Sequence, residues 1–469
     1  MKVEQLYTGC LAEAAYYIES EGEVAIIDPL RETAPYIAKA EENGGKIKYV
    51  FETHFHADFV SGHVDLAKKT GAQIIYGPTA KAGYDIVTAE DGQLFKLGKV
   101  TIKVLHTPGH TMESSSFLLI DENGKNHALF SGDTLFIGDV GRPDLAVKTD
   151  LTREDLAGKL FDSLRNKIMP LEDELIVYPA HGAGSACGKN MSKETFDTLG
   201  HQKEVNYALR ADMTRDEFIA EVTDGIMPPP QYFPKNAVMN KMGYESIDQV
   251  MAKGAKSFDV NTFLAVAEAE EALVLDTRHQ DDFSKAHIPG SIFIGVKGSF
   301  ATWVGALIND LKQPILIVAD EGSEEEVVMR LARVGYDNCI GYLEGGIQAW
   351  IDAGKSVDHV ENVTVDQLKT KLETEEISVL DVRKPSEFTA EHIDKALNVP
   401  LDYINNNMDK VDKDTTFYTH CAGGYRSVIF ASILKARGMH NIIDVKGGMG
   451  AIKKVGIPLT DFVCPSTLK

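Results

Sequence analysis

An internal repeat in the second half of the chain is what most limits how it can fold. Leu275-Asp276-Thr277-Arg278 returns as Leu380-Asp381-Val382-Arg383, Phe283 as Phe388, and His287-Ile288 as His392-Ile393, all at one constant offset. Gly345-Gly346 and Gly447-Gly448 then close the two copies. Short apolar runs alternate with helix-like stretches in each copy, which predicts two small α/β domains with parallel sheets. With 469 residues the chain is too long for one core, and we expect three domains, 1–245, 246–357 and 358–469.

The front half is also strand-rich. Val24–Ile27 and Tyr49–Phe51 read as buried strands, and Val100–Leu105 alternates like a half-buried one. Ser116–Ile120, Ala128–Phe130 and Leu175–Tyr178 follow. Pro228-Pro229-Pro230 and Pro234 break regular structure and read as a stiff connector.

The net charge of −22 argues against nucleic acid and anionic membranes as partners, because both require basic surface. It leaves small anions open, since a few local Arg or Lys residues can hold them. Met1–Ser20 lacks the basic head and apolar core of a secretory signal, and no run nears the roughly 18 apolar residues of a membrane span. Cys10, Cys187, Cys339, Cys421 and Cys464 are scattered, with no metal-type pairs. A reducing cytoplasm is the expected setting, and a cysteine that matters is expected to be a reactive thiol.

Chemistry concentrates in two places. The first begins with Thr53-His54-Phe55-His56-Ala57-Asp58, directly after a predicted strand. Histidines at i and i+2 of an extended segment point the same way, so imidazoles and a carboxylate can converge. Thr107-Pro108-Gly109-His110, Ser131-Gly132-Asp133-Thr134 and Tyr178-Pro179-Ala180-His181 each put a His or Asp in a loop after a strand. Any one of these alone reads equally well as an ordinary surface histidine or turn. Four in succession predict a metal site at one sheet edge.

These motifs resemble the metallo-β-lactamase superfamily, whose fold is a four-layer αββα sandwich. Ile27-Asp28-Pro29 and the stretch from Ser131 to Asp144 resemble its persulfide dioxygenase branch. Two-metal hydrolases of the superfamily usually carry His right after the motif Asp; here that residue is Phe59. The resemblance therefore implies one Fe(II) per chain on His54, His110 and Asp133, with His56, Asp58 and His181 in supporting positions. The implied reaction oxidises a low-molecular-weight persulfide, of glutathione, coenzyme A or a similar thiol, with O2 to sulfite and thiol. Arg142 is open between pairing with a substrate carboxylate and supporting its loop. Cys187 is open between relaying sulfur and being inert.

The second place lies in the last copy. Thr416–His420 predicts a strand that ends at Cys421-Ala422-Gly423-Gly424-Tyr425-Arg426-Ser427, before a helix-like stretch from Val428 to Arg437. A strand, a Gly-containing loop opened by Cys and a helix start form a nest of N–H groups that stabilises a thiolate or persulfide. Arg426 adds positive charge for an anionic sulfur donor. The pattern resembles the rhodanese active loop over about the last 110 residues, implying sulfur transfer through Cys421 with thiosulfate or sulfite as partner. In the middle copy, Ile315–Ala319 precedes Asp320–Glu326. Asp320 reads as the replacement for the nucleophile, in a shortened acidic loop with a structural role.

The resemblances together imply a bifunctional cytoplasmic enzyme of sulfide detoxification that assembles as a homo-oligomer. Two alternatives stand beside it: a glyoxalase II-like zinc thioester hydrolase with an appended sulfurtransferase, and a non-catalytic sulfur carrier or sensor.

Overall fold

The computed structural model describes residues 1–147 and 150–463, so Cys464 lies outside the described residues. The chain forms two compact units: Met1–Gln249 with Leu331–Gly335, and Val250–Arg330 with the chain from Tyr336 onward.

Two six-stranded sheets make up the first unit. One runs in chain order, Lys2–Thr8, Glu13–Ser20, Glu23–Ile27, Lys46–Glu52, Gln73–Tyr76 and Val87–Thr88. The other lies in reverse chain order, from Asp197–Thr198 through Ile176–Pro179, Asn126–Gly132, Ser115–Ile120 and Val100–His106 to Leu94–Leu97. Successive residues of a strand face opposite sides, and both sides are apolar here. Tyr16, Ile27, Phe51, Val104, Phe117 and Phe130 fill the space between the sheets. Their neighbours Tyr17, Ile26 and Val50 face outward, under helices Ala34–Glu42 and His63–Thr70. Leu105, Leu118 and Leu129 lie under helices Arg153–Ser163 and Arg215–Thr223. Cover on both faces explains why the strands read as near-continuous apolar runs. The result is the expected αββα sandwich.

Strand direction gathers the loops. Val100–His106 and Asn126–Gly132 both run antiparallel to Ser115–Ile120 between them, and Ile176–Pro179 runs parallel to Asn126–Gly132. Three strands therefore end at one edge, just before His110, Asp133 and His181.

The second unit holds two five-stranded parallel sheets. Their orders match: Ser257–Phe258, Cys339–Leu343, Ile315–Val318, Leu273–Asp276, Ile292–Phe293, and Glu361–Val363, Ile442–Val445, Phe417–His420, Ser378–Asp381, Leu397–Asn398. The repeated residues recur because they make the same contacts. Asp276 pairs with Arg278 at 2.6 Å, as Asp381 does with Arg383 at 2.5 Å. Phe283 stacks on His287 at 3.9 Å, as Phe388 does on His392 at 3.7 Å.

Three expectations need correction. Pro234 does not break structure; it stands in the first turn of the helix Phe233–Met242, where its missing N–H has no partner to lose. In the middle copy, Val318 pairs with Asp276 as His420 pairs with Asp381. Register thus puts Ala319, not Asp320, in the place of Cys421. Nor is that loop shorter, since its helix starts at Glu324 whereas the catalytic-type helix starts at Tyr425. Among the described residues no helix is long and apolar enough to cross a membrane.

Candidate functional site

His54, His110 and Asp133 are fully buried, and one donor atom of each lies within 4.8 Å of the others. His110 Nε2 is 3.4 Å and His54 Nε2 3.9 Å from Asp133 Oδ2. Their other ring atoms decide the tautomers. His110 Nδ1 donates to the Arg142 carbonyl at 2.9 Å, because a carbonyl can only accept. Thr53 Oγ1 donates to Asp28 Oδ2, so it accepts from His54 Nδ1 at 3.0 Å. Nδ1 of each ring is thereby committed, and Nε2 is the atom that faces Asp133. Burial, with neighbouring His56, pushes His54 well below its usual value, which keeps it neutral. Burial alone would raise Asp133, but His181, His110 and His54 hold it below the ordinary carboxylate range. His110 Nε2 and Asp133 Oδ2 have no hydrogen-bond partner among the described residues. Two imidazole nitrogens and an ionised carboxylate, buried together, fit a divalent transition metal.

His56, Asp58 and His181 also lie within 4.8 Å donor to donor. Each has a charged neighbour, while both His56 ring nitrogens, Asp58 Oδ1 and His181 Nε2 have no hydrogen-bond partner among the described residues. His181 Nδ1 sits 2.8 Å from Asp133 and its Nε2 2.8 Å from Asp58. Burial would lower His181, yet Asp133 and Asp58 raise it well above its usual value. His56 Nε2 turns to Asp28 at 3.0 Å and Glu52 at 3.6 Å. Phe59, fully buried, packs its ring 4.4 Å from His56 and brings no ligand atom.

The cysteine loop is built from backbone. Cys421 is buried, Gly424 N–H donates to its Sγ at 3.1 Å, and Ser427 Oγ lies 3.7 Å from it. Gly424 has φ of 102°, a conformation that turns its N–H inward and that side chains disfavour. Met449 N–H binds the Cys421 carbonyl at 2.7 Å. A Cβ on Gly448 would stand 2.3 Å from that same oxygen, which accounts for the second repeated Gly-Gly. Arg426 does not face the sulfur uncommitted: Glu387 takes it in a two-point pair at 2.6 and 2.9 Å.

Known proteins carry both halves. A model described as "Metallo-beta-lactamase superfamily" matches residues 8–181, and "Rhodanese-like domain" matches residues 259–353 and 364–454. A solved metallo-beta-lactamase from Staphylococcus aureus subsp. aureus COL is 32% identical, at TM-score 0.64, over 73% of this chain and 98% of that one. The chain belongs to the metallo-β-lactamase superfamily and carries two rhodanese-like domains. The metallo-β-lactamase domain is similar to two kinds of curated protein. Hydroxyacylglutathione hydrolase GloC of Haemophilus influenzae is 30% identical over 200 residues, 38% of this chain and 89% of that protein. The mitochondrial persulfide dioxygenase ETHE1 of Homo sapiens is 29% identical over 211 residues, 45% of this chain and 74% of that protein.

Two open readings within the metallo-β-lactamase domain now have a geometry. The Arg142 side chain pairs with Asp144 at 2.7 and 2.8 Å and donates to the carbonyls of Ala186 and Met227. Its donors go to its own loop and to the backbone of two distant segments, the geometry of a loop support. Cys187 is buried beside Asp133 and His181. Burial, with the Asp58 and Asp133 charges, pushes its thiol well above the ordinary value, so it stands there protonated.

Sequence reasoning missed Asn240. Its amide donates to the carbonyls of His56 and Phe59, both at 2.7 Å, and accepts from Ser61 N–H at 2.9 Å. One buried side chain from a distant helix thus ties down the whole histidine loop. An isolated Asn in a helical stretch carries no signal of such a contact.

Proposed function

We propose that the chain oxidises persulfides at the metallo-β-lactamase site and transfers sulfane sulfur through Cys421. The observation that carries this reading is the face made by His54 Nε2, His110 Nε2 and Asp133 Oδ2, beside a cluster to which the buried Phe59 brings no ligand atom. Two histidines and one carboxylate suit a single Fe(II), which when bound supplies the redox chemistry that joins dioxygen to sulfur. The net reaction converts persulfide, dioxygen and water into thiol, sulfite and a proton. Thr53 and the Arg142 carbonyl hold the two ligand tautomers, and burial keeps bulk water away from the site.

At the second site, the Cys421 thiolate attacks the outer sulfur of thiosulfate. The S–S bond breaks, sulfite leaves with the electron pair, and Cys421 carries a persulfide stabilised by Gly424 N–H. An acceptor thiolate then takes that sulfur and frees Cys421. Sharing one chain keeps the transferred sulfur at high effective concentration. Persulfides of glutathione or coenzyme A are the substrate class.

A zinc thioester hydrolase is the second reading, favoured by the likeness to hydroxyacylglutathione hydrolase. Protein loaded anaerobically with Fe(II) separates the two. We expect one iron per chain and oxygen uptake when glutathione persulfide is added. Two zinc ions per chain with hydrolysis of S-lactoylglutathione, and no oxygen uptake, would overturn the proposal.

A further inference from the structure

We propose that Tyr425 is a positioning residue for Cys421, seated in a socket that the middle rhodanese-like domain provides in place of its own lost chemistry. The inference rests on the sulfurtransferase reading of Cys421. Tyr425 opens the helix Tyr425–Ala436, immediately after the Gly424 whose N–H faces the sulfur. Its side chain leaves the Cys421 domain. Tyr425 Oη donates to the Gly295 carbonyl of the middle copy at 2.8 Å, and its ring meets Phe293 edge-on at 5.7 Å. Burial pushes the phenol upward, so the proton of that hydrogen bond stays in place.

Comparing the two copies shows that the socket is specific. Ile294 and Val296 bind the carbonyls of Asp276 and Thr277, as Val399 and Leu401 bind those of Asp381 and Val382. Gly298 N–H binds the Gly295 carbonyl, as Tyr403 N–H binds that of Pro400. The backbones therefore correspond residue for residue. Where the catalytic-type copy has Pro400 and Tyr403, the middle copy has Gly295 and Gly298. These two glycines touch the Tyr425 ring. A Cβ on Gly298 would stand 2.3 Å from Tyr425 Cζ, and one on Gly295 would stand 3.2 Å from Cε2. The ring also closes one side of a cavity of about 270 Å³ bordered by Thr277, Arg278, Lys297 and Asp320, the counterpart of the space beside the Cys421 loop. Two more contacts pin the same helix: Phe293 N–H to Ser432 Oγ at 3.0 Å, and Lys435 to Asp358 at 3.1 Å. Gly424 and Tyr425 are bonded neighbours, so shifting the ring shifts the N–H that supports the sulfur.

The test uses the full chain with Gly298→Ala, Tyr425→Ala, their double variant, and Tyr425→Phe, which keeps the ring. Two readouts are followed. One is KM against kcat for thiosulfate in transfer to cyanide; the other is the pH profile of Cys421 alkylation by iodoacetamide, located by peptide mass. We expect Gly298→Ala and Tyr425→Ala each to raise the thiosulfate KM roughly tenfold with kcat less affected, and to slow alkylation across neutral pH. In the double variant the two effects should not add, because both act through one ring. Tyr425→Phe should fall between them and wild type. Wild-type KM and alkylation profiles in Tyr425→Phe and Gly298→Ala would overturn the proposal, as would full additivity in the double variant. If wild-type protein moves no sulfur from thiosulfate, the sulfurtransferase reading fails, while the alkylation profiles still decide the role of Tyr425.

Discussion

His110 gives its Nδ1 hydrogen to the backbone carbonyl of Arg142 at 2.9 Å, and this single bond determines which nitrogen faces Asp133. The carbonyl is held where it is by the Arg142 side chain, which bridges Asp144, Ala186 and Met227. Arg142→Ala should leave all three metal-site side chains in place yet lower metal affinity by about 10- to 100-fold. Competition with a chelator followed by metal analysis measures this. Unchanged affinity would show that the loop holds its shape without the guanidinium.

The two sites should be separable by mutation. Cys421→Ser removes the nucleophile, and we expect thiosulfate transfer to vanish while oxygen uptake with a preformed persulfide persists. His54→Ala, His110→Ala or Asp133→Ala should do the reverse and strip the metal. Loss of both activities in Cys421→Ser with iron still bound would mean that the sites depend on each other.

Asn240→Ala removes an amide that satisfies two carbonyls and one N–H of the histidine loop. Unpaired buried backbone groups are costly, so the first unit should lose about 3 kcal/mol of stability and its metal affinity should fall with it. Thermal unfolding with and without metal reads both effects.

Glu387 holds Arg426 at two points, so the cation nearest the cysteine loop is shared with a carboxylate. Burial would raise the Glu387 carboxyl, but Arg426 draws it below the usual range, so the pair persists at neutral pH. Glu387→Gln should free part of that positive charge and lower the thiosulfate KM by about two- to fivefold. An increased KM would mean that the pair orients Arg426 rather than masking it.

Asp444 supplies a pH signature. It is buried, and burial pushes it up to about 7 against the opposing pull of Ser427 and Lys446. An ordinary aspartate in the unfolded chain ionises near 3.8. Between those values the unfolded state loses its proton first, so the second unit should lose stability as pH rises from about 4 to 7. Above that range Asp444→Asn should raise its unfolding midpoint by about 2–4 °C, and the difference should vanish near pH 4.

Much of this architecture was legible in the residues. Strands such as Glu23–Ile27 and Asn126–Gly132 betray themselves through apolar runs, and His54, His110 and Asp133 stand just beyond strand ends. The repeat announced two like domains because Asp276–Arg278 and Asp381–Arg383 are the same buried pair made twice. Contacts that depend on backbone atoms or distant partners stayed hidden. The Arg142 carbonyl that orients His110 belongs to a group every residue possesses. Asp320 drew attention by its charge, whereas the register that puts Ala319 opposite Cys421 is visible only once the strands pair.

The helix Tyr425–Ala436 is buried at every position from Ser427 to Leu434, with its own sheet on one side and the middle copy on the other. Trimming the protein to its last 110 or so residues would strip one flank of that helix and expose apolar side chains that are now buried. A copy without a cysteine at that position thereby still contributes, as the wall against which its twin's helix packs.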